Sequence, residues 1–130
     1  MVGTVRAQAL VSTSLEPEAA VAAPLRRRIR AVLTGRGMQP DAVDDALLVV
    51  EELVANVVDH ARTRFALVVR MTGNVLRIEV RDCDPGTPHI QPVDPHAARG
   101  RGLQVVDSLS QRWGCERHRD GKTVWAELPV

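Results

Sequence analysis

The feature that most constrains the fold is a long amphipathic helix, which the sequence predicts over residues 40–61. Pro40 suits the first turn of a helix, where its missing N–H leaves no hydrogen bond unmade. Apolar residues then recur every three or four positions and form one stripe, made of Val43, Leu47, Val50, Val54, Val57 and Ala61. A helix of about six turns with one apolar stripe must pack against a second layer, so the rest of the chain folds around it.

The other elements predict an α+β domain with the order β-α-α-β-β-loop-α-β-β. We expect strands over residues 6–14, 65–71, 75–81, 112–117 and 123–128, and further helices over 17–35 and 103–109. Pro24 should kink the first helix or mark a restart. Tight turns at 72–74 and at Asp120-Gly121 join neighbouring strands. The expected fold is therefore a two-layer α/β sandwich, with a mixed, mostly antiparallel sheet and helices on one face.

Length and composition indicate one ordinary cytoplasmic domain. The chain has 130 residues, 17 basic and 16 acidic, and a net charge of +1. This balance gives no electrostatic reason to expect nucleic acid or an anionic membrane as a partner. No apolar run has the length of a membrane span, and there is no signal segment. All basic residues except Lys122 are Arg, which we attribute to coding bias.

The two cysteines, Cys83 and Cys115, are 32 residues apart in the sequence and form no C-x-x-C motif. Two thiols cannot by themselves supply the four ligands of a structural zinc site. We therefore expect free thiols in a reducing compartment.

Glu52 and Asn56 are four residues apart on the long helix, so they are neighbours on one face, together with Asp45 and Asp59. One interpretation is that this face is only the solvated side of an amphipathic helix. Asn is, however, a poor residue for the middle of a helix, because its amide competes for backbone hydrogen bonds. An amide oxygen near a carboxylate can instead bind Mg²⁺, and the carboxylate can accept a proton from an attacking hydroxyl.

A short acidic turn, Asp-Cys-Asp-Pro-Gly at 82–86, directly follows a predicted strand. Asp82 at the strand end could accept a hydrogen bond from an exocyclic amine, while the turn packs beside a flat ring. The alternative is a plain Asp/Pro/Gly turn. The segment 82–101 is rich in Pro and has no regular period, and a loop of this length in a compact domain is more often functional than idle.

A glycine-rich turn, formed by Gly100, Arg101 and Gly102, opens the helix that begins at Leu103. Glycines let backbone amides approach a phosphate, and a helix N-terminus favours anions. The alternative is a helix that follows a flexible loop. The turn is neither a dinucleotide fingerprint, which needs a third Gly, nor a Walker A loop, which needs Gly-Lys-Ser/Thr.

The order and spacing of these three motifs resemble the GHKL ATPase superfamily, which has the Bergerat ATP-binding fold. The segment ELVANVVDH at 52–60 is similar to the N box of that superfamily, 82–86 to its G1 box, and 100–103 to its G2 box. The ending GKTVWAELP at 121–129 resembles the last strand of one branch, the anti-sigma-factor serine kinases similar to RsbW and SpoIIAB. The resemblance covers nearly the whole chain as one domain, 1–130.

The resemblance implies a role for each matching residue. Asn56 would hold the Mg²⁺ that bridges the phosphates of ATP, and Glu52 would be the catalytic base. Asp82 would accept a hydrogen bond from the adenine amine. The residues that would contact the nucleotide are Gly86, Arg99, Gly100, Arg101, Gly102 and Leu103, with 88–99 as a lid. Such phosphoryl transfer depends mainly on positioning and charge stabilisation.

Two positions depart from the family pattern. Members commonly carry Gly where this chain has Asp84, and we expect a positive φ there, which Asp tolerates better than most residues. The related kinases often carry Arg where this chain has Ala98. Either Arg99 or Arg101 substitutes for it, or handling of the γ-phosphate is reduced. Kinase activity is therefore more affected by these departures than nucleotide binding is.

The resemblance implies three partners or states: a sigma factor that the protein sequesters, a STAS-domain antagonist whose serine it phosphorylates, and a homodimer. The alternative function is an ATP-binding partner switch without catalysis. A detached ATPase domain of a two-component sensor fits less well, because no helices with a phospho-accepting His precede residue 52. The run Arg26-Arg27-Arg28 is either the solvated side of the first helix or a contact for an acidic partner.

Overall fold

A computed structural model describes residues 8–84, 86 and 103–130 of the chain. Its strands are β1 (Gln8–Leu15), β2 (Phe65–Thr72), β3 (Val75–Asp82), β4 (Arg112–His118) and β5 (Gly121–Pro129). Its α-helices are α1 (Ala22–Gly35), α2 (Pro40–Asn56) and α3 (Leu103–Leu109). A 3₁₀ turn at Ala19–Val21 precedes α1, and a π-helical turn at Val57–Ala61 extends α2.

The five strands form one sheet with the order β1-β2-β3-β5-β4, and all four pairings are antiparallel. The predicted two-layer α+β sandwich is confirmed. The pairing of β3 with β5 joins two parts of the described chain that are separated in sequence by 83–120. The ends of these two central strands therefore lie side by side although they are far apart in sequence.

The core lies between the sheet and the helical layer. On β2 and β3 alternate residues are fully buried, as the predicted period of two requires. The core cluster includes Leu67, Val69, Leu76, Ile78, Val80, Val124 and Ala126 of the sheet and Ile29, Leu33, Leu53 and Val106 of the helices. This one continuous core orients every element that carries a candidate site residue.

The helix α2 is the centre of the helical layer, because it packs against α1 on one side and α3 on the other. Its buried residues consequently extend beyond the predicted stripe and include Val49, Leu53 and Ala55. Pro24 does not kink α1, since it lies in the first turn, just after the 3₁₀ turn. Pro24 therefore marks the place where the chain starts an α-helix after the 3₁₀ turn, which was the second of the two predicted roles.

The other face of the sheet carries charged side chains and Trp125. The Arg77 guanidinium lies 4.3 Å from the centroid of the Trp125 ring, and Glu127 accepts hydrogen bonds from Arg77 at 3.2 Å and from Arg112 at 3.0 Å. The hydrogen bond from Arg112 is the main cause that lowers the pKa of Glu127 below its ordinary value. These contacts tie β3, β4 and β5 together on the side away from the helices.

The two predicted hairpin turns are present, one of them displaced by a residue. Gly73, the first residue of the β2–β3 turn, has a φ of 59°, which Gly adopts without strain. In the β4–β5 hairpin, Gly121 is paired with His118, so the turn consists of Arg119 and Asp120. Within the ranges described above, no helix is both long and apolar enough to cross a membrane.

Candidate functional site

The site is organised around a buried ion pair between Asp82 and Lys122. Asp82 is the last residue of β3, and Lys122, the second residue of β5, lies directly opposite it in the antiparallel register. The Lys122 Nζ lies 3.1 Å from Asp82 Oδ2 and 3.3 Å from Asp82 Oδ1. The residues are only 2% and 3% exposed, respectively, so the two charges compensate each other out of contact with water.

Lys122 was not among the site residues predicted from the sequence. The only signal in the sequence was that it is the single Lys among 17 basic residues, and we attributed that pattern to coding bias. The sequence could not reveal the pairing, because Asp82 and Lys122 are 40 residues apart and meet only through the β3–β5 register.

The turn after Asp82 is closed by side chains. The backbone N–H of Asp84 donates to Asp82 Oδ1 at 2.8 Å, and that of Gly86 donates to Asp84 Oδ1 at 2.9 Å. Lys122 also donates to the carbonyl oxygen of Asp84 at 3.1 Å. Asp84 therefore uses its carboxylate to cap the turn, as Asp commonly does two residues before the donor. Our expectation of a positive φ at Asp84 was wrong, because Arg62 is the only non-glycine residue with positive φ in the described ranges.

Gly121 is required by a close approach of two backbones. A Cβ built on Gly121 would lie 2.0 Å from the carbonyl oxygen of Asp82 and 2.9 Å from the Cα of Cys83. No side chain fits in this space, so only Gly lets β5 run beside the end of β3. The sequence predicted Gly121 as a turn residue, whereas its structural role is to let Lys122 reach Asp82.

Glu52 and Asn56 lie on α2, which packs against both β3 and β5, the strands that carry Asp82 and Lys122. Glu52 is only 7% exposed, so the interpretation of this helix face as a solvated surface is wrong for Glu52, whereas Asp45 and Asp59 on the same face are half-buried. Asn56 is half-buried and is the last residue of α2 before the π-helical turn. Turns of this type occur frequently at functional sites, and this one ends at Arg62 with a φ of 55°.

The predicted glycine-rich turn lies mostly outside the described residues. This applies to Arg99, Gly100, Arg101 and Gly102, as well as to the lid at 88–99 and Ala98. Leu103 is the first residue of α3, is 2% exposed and belongs to the core. Because α3 packs on α2, the helix that follows the glycine-rich turn lies beside the helix of Glu52 and Asn56. The assigned nucleotide contacts of these residues stay predictions.

Comparisons with known proteins agree with this geometry. Residues 13–128 match the family model of the histidine kinase-like ATPase domain. An uncharacterized protein of Streptomyces coelicolor is 32% identical over 81 residues, which cover 58% of this chain and 77% of that protein. The crystal structure of the RsbU and RsbW domains of Rv1364c from Mycobacterium tuberculosis aligns with 92% of this chain, with a TM-score of 0.68 and 16% identity. This chain spans 32% of the length of that structure.

The chain belongs to the histidine kinase-like ATPase domain family. The predicted GHKL, RsbW-like fold is thereby confirmed. Membership of this ATPase domain family supports nucleotide binding by the chain.

Proposed function

We propose that this protein binds ATP with Mg²⁺, sequesters a sigma factor, and phosphorylates a serine of a STAS-domain antagonist that competes for it. The observation that carries the proposal is the buried Asp82 carboxylate, paired with Lys122 at a strand end and facing the layer that contains Glu52 and Asn56. A buried carboxylate needs donors, and a base with an exocyclic amine supplies one.

The adenine ring binds beside Asp82 in this proposal, and the turn through Asp84 and Gly86 forms one wall of the base pocket. Asp82 accepts a hydrogen bond from the adenine amine. A base with a carbonyl oxygen at that position, such as guanine, would place two acceptors against each other and is rejected. The site therefore selects ATP over GTP.

Asn56 is the protein ligand of Mg²⁺ in this proposal. In nucleotide sites Mg²⁺ is held by one or two protein oxygens together with phosphates and water, and a single amide oxygen on α2 fits that pattern. The bound ion supplies charge neutralisation on the phosphates. Asn56 thereby positions the triphosphate relative to Glu52, one helical turn earlier on the same face.

Glu52 is the general base of the proposed reaction. It accepts the proton of the antagonist's serine hydroxyl, the serine oxygen forms a bond to the γ-phosphorus, the bond between that phosphorus and the β–γ bridging oxygen breaks, and ADP leaves. The burial of Glu52 supports this role, because a carboxylate away from bulk water holds a fixed orientation.

The experiment compares Glu52→Gln with Glu51→Gln, a change of the same chemistry one residue earlier, on another face of α2. Each variant is incubated with radiolabelled ATP, Mg²⁺ and the cognate STAS-domain protein. Wild type and Glu51→Gln should label the antagonist, and Glu52→Gln should lose at least about a hundredfold in rate, since general-base catalysis contributes roughly 10²–10⁴. Labelling by Glu52→Gln at the wild-type rate would contradict the assignment.

A second candidate function is an ATP-dependent partner switch without phosphoryl transfer. It is favoured by Asp84 and Ala98, the two departures from the family's pattern. Asp84 would add negative charge near the phosphates; its carboxylate accepts from the Gly86 N–H at 2.9 Å, and Lys122 Nζ lies 4.0 Å from its other oxygen. Tight ATP binding by wild type with no labelling of any cognate antagonist would favour the switch.

The proposed partners act in the cytoplasm, and a homodimer is part of the proposal. Arg26, Arg27 and Arg28 are exposed on α1 and form no ion pair with any residue in the described ranges. They are therefore available to an acidic surface of a protein partner.

A further inference from the structure

Lys122 makes contacts that a simple counter-ion does not need. Besides both oxygens of Asp82, its ammonium donates to the backbone carbonyl of Asp84, at 3.1 Å. Two of its N–H donors are hydrogen-bonded in this way, to Asp82 Oδ1 and to the Asp84 carbonyl, and Asp82 Oδ2 lies within ion-pair distance of the same nitrogen. Lys122 thus holds the carboxylate and the following turn in one fixed arrangement.

We propose that Lys122 is a positioning residue that gives Asp82 its selectivity for the exocyclic amine of adenine. This inference rests on the proposed function, because it concerns the same nucleotide site. Lys122, on β5, thereby joins the residues proposed to recognise the base.

The hydrogen-bonding capacity of the Asp82 carboxylate shows how this works. Each carboxylate oxygen has two acceptor positions. On Oδ1 both are occupied, by the Asp84 N–H at 2.8 Å and by Lys122 at 3.3 Å. Oδ2 lies 3.1 Å from Lys122 Nζ as an ion-pair contact, and it accepts no hydrogen bond from another described residue. Among the contacts of the described residues, Oδ2 is therefore the oxygen left to accept from a ligand, and Lys122 and the Asp84 N–H together set its direction.

A lysine suits this position better than an arginine would. The chain has one Lys against sixteen other basic residues, all of them Arg, and the single Lys is the one that is buried in the site. A compact ammonium can donate in three directions from one atom, whereas a guanidinium donates in one plane from three nitrogens. Its three acceptors here come from two different residues around a single point.

Removal of the ammonium leaves a nearly buried carboxylate without a counter-charge, and such a group reorients or draws in water. Either response removes the fixed direction in which Oδ2 accepts from a ligand. The base would then still enter the site, but Asp82 would no longer recognise the exocyclic amine. Binding of the triphosphate with Mg²⁺ would persist.

The first test compares the affinity for ATP with that for purine riboside triphosphate, which lacks only the exocyclic amine. Isothermal titration calorimetry with Mg²⁺ is run on wild type, on Lys122→Met, and on Arg81→Met as a control at an exposed cation next to Asp82. Wild type and Arg81→Met should prefer ATP by roughly ten- to hundredfold, the range for a hydrogen bond to a charged group. Lys122→Met should bind the two nucleotides within about threefold of each other.

A full preference for ATP in folded Lys122→Met would overturn the inference and leave the proposed function intact. Wild type that binds neither nucleotide would overturn the proposed function itself. The two failures are therefore distinguishable in a single set of titrations.

A second measurement covers the case in which Lys122→Met does not fold. Because the chain has one Lys, protein labelled with ¹⁵N-lysine gives a single side-chain Nζ signal. ATP should shift this signal in wild type, and purine riboside triphosphate should shift it by less than half as much, since only ATP adds a donor to Asp82 Oδ2. Equal shifts with the two nucleotides, or no shift with ATP, would overturn the inference.

Discussion

The backbone of Gly121 lies against the carbonyl oxygen of Asp82, so closely that a Cβ on Gly121 would be 2.0 Å from that oxygen. The clash would be with backbone atoms of β3, which cannot move without disturbing the Asp82–Lys122 pair next to it. Strand packing and the candidate base contact are therefore coupled through one glycine.

Gly121→Ala should destabilise the protein by at least about 1–3 kcal/mol, the range for overpacking a tight contact, and should weaken ATP binding together with it. The matched control is Gly35→Ala at the end of α1, where no atom lies within 4 Å of the added Cβ. That change should be neutral or stabilising by up to about 1 kcal/mol. Urea unfolding measures the free energy of unfolding of both variants. Equal values for the two would show that β5 can move away from β3.

Asp82→Ala should abolish the preference for ATP over GTP and cost about 3–5 kcal/mol of stability, because it leaves the Lys122 ammonium buried and unpaired. The double variant Asp82→Ala/Lys122→Met removes both charges and should recover part of this loss. A double-mutant cycle by chemical denaturation checks the coupling. If the losses of the two single variants simply add, the ion pair does not stabilise the fold.

Glu127→Gln should show a stability difference that depends on pH. The pKa of Glu127 is lowered in the folded protein, first by the hydrogen bond from Arg112 and then by Arg77, so its ionised form stabilises the native state. This contribution is present at neutral pH and is lost as the pH falls below the ordinary value near 4.5 and through the folded pKa.

Thermal unfolding of Glu127→Gln and wild type should therefore differ most at pH 7 and converge toward pH 3. The control Glu116→Gln, at an exposed position of β4, should match wild type at both values. A Glu127→Gln deficit that is as large at pH 3 as at pH 7 would mean that the side chain acts through packing rather than through its charge.

The two thiols should react at different rates with a thiol-specific reagent at pH 8. Cys83 is exposed, whereas Cys115 is half-buried on β4, and burial is the main cause that raises the pKa of its thiol above 9.0. Less thiolate is then present on Cys115, so Cys115→Ser should react fast and Cys83→Ser slowly. Raising the pH to 10 should reduce the difference between the two reaction rates. Equal rates at pH 8 would contradict the burial of Cys115.

Much of the fold could be predicted because its elements carry strong local patterns. Pro40 and the apolar spacing of α2, and the alternation along β2 and β3, indicate the elements within a few residues of their observed bounds. Local patterns did not show that the long helix changes to a π-helical turn after Asn56.

The candidate site was only partly predictable, because its central contact is non-local. Asp82 and Glu52 were recognised by the type of residue and its place on a strand or helix. The burial of Glu52 depends on how α2 packs against the other elements, which no helical period reveals. Lys122 and Gly121 became visible only through the pairing of β3 with β5.

The pairing of β3 with β5 also bears on how the chain can be divided into two fragments. Residues 8–84 contain β1, β2, β3 and both long helices, and 103–130 contain α3 and the β4–β5 hairpin. Asp82 lies in the first of these parts, and Gly121 and Lys122 lie in the second. Two polypeptides produced by a break between 87 and 102 would each hold one member of the Asp82–Lys122 pair, which we propose recognises the base. Reassociation of such fragments would restore the pair, so nucleotide uptake would serve as a direct reporter of complementation between the halves.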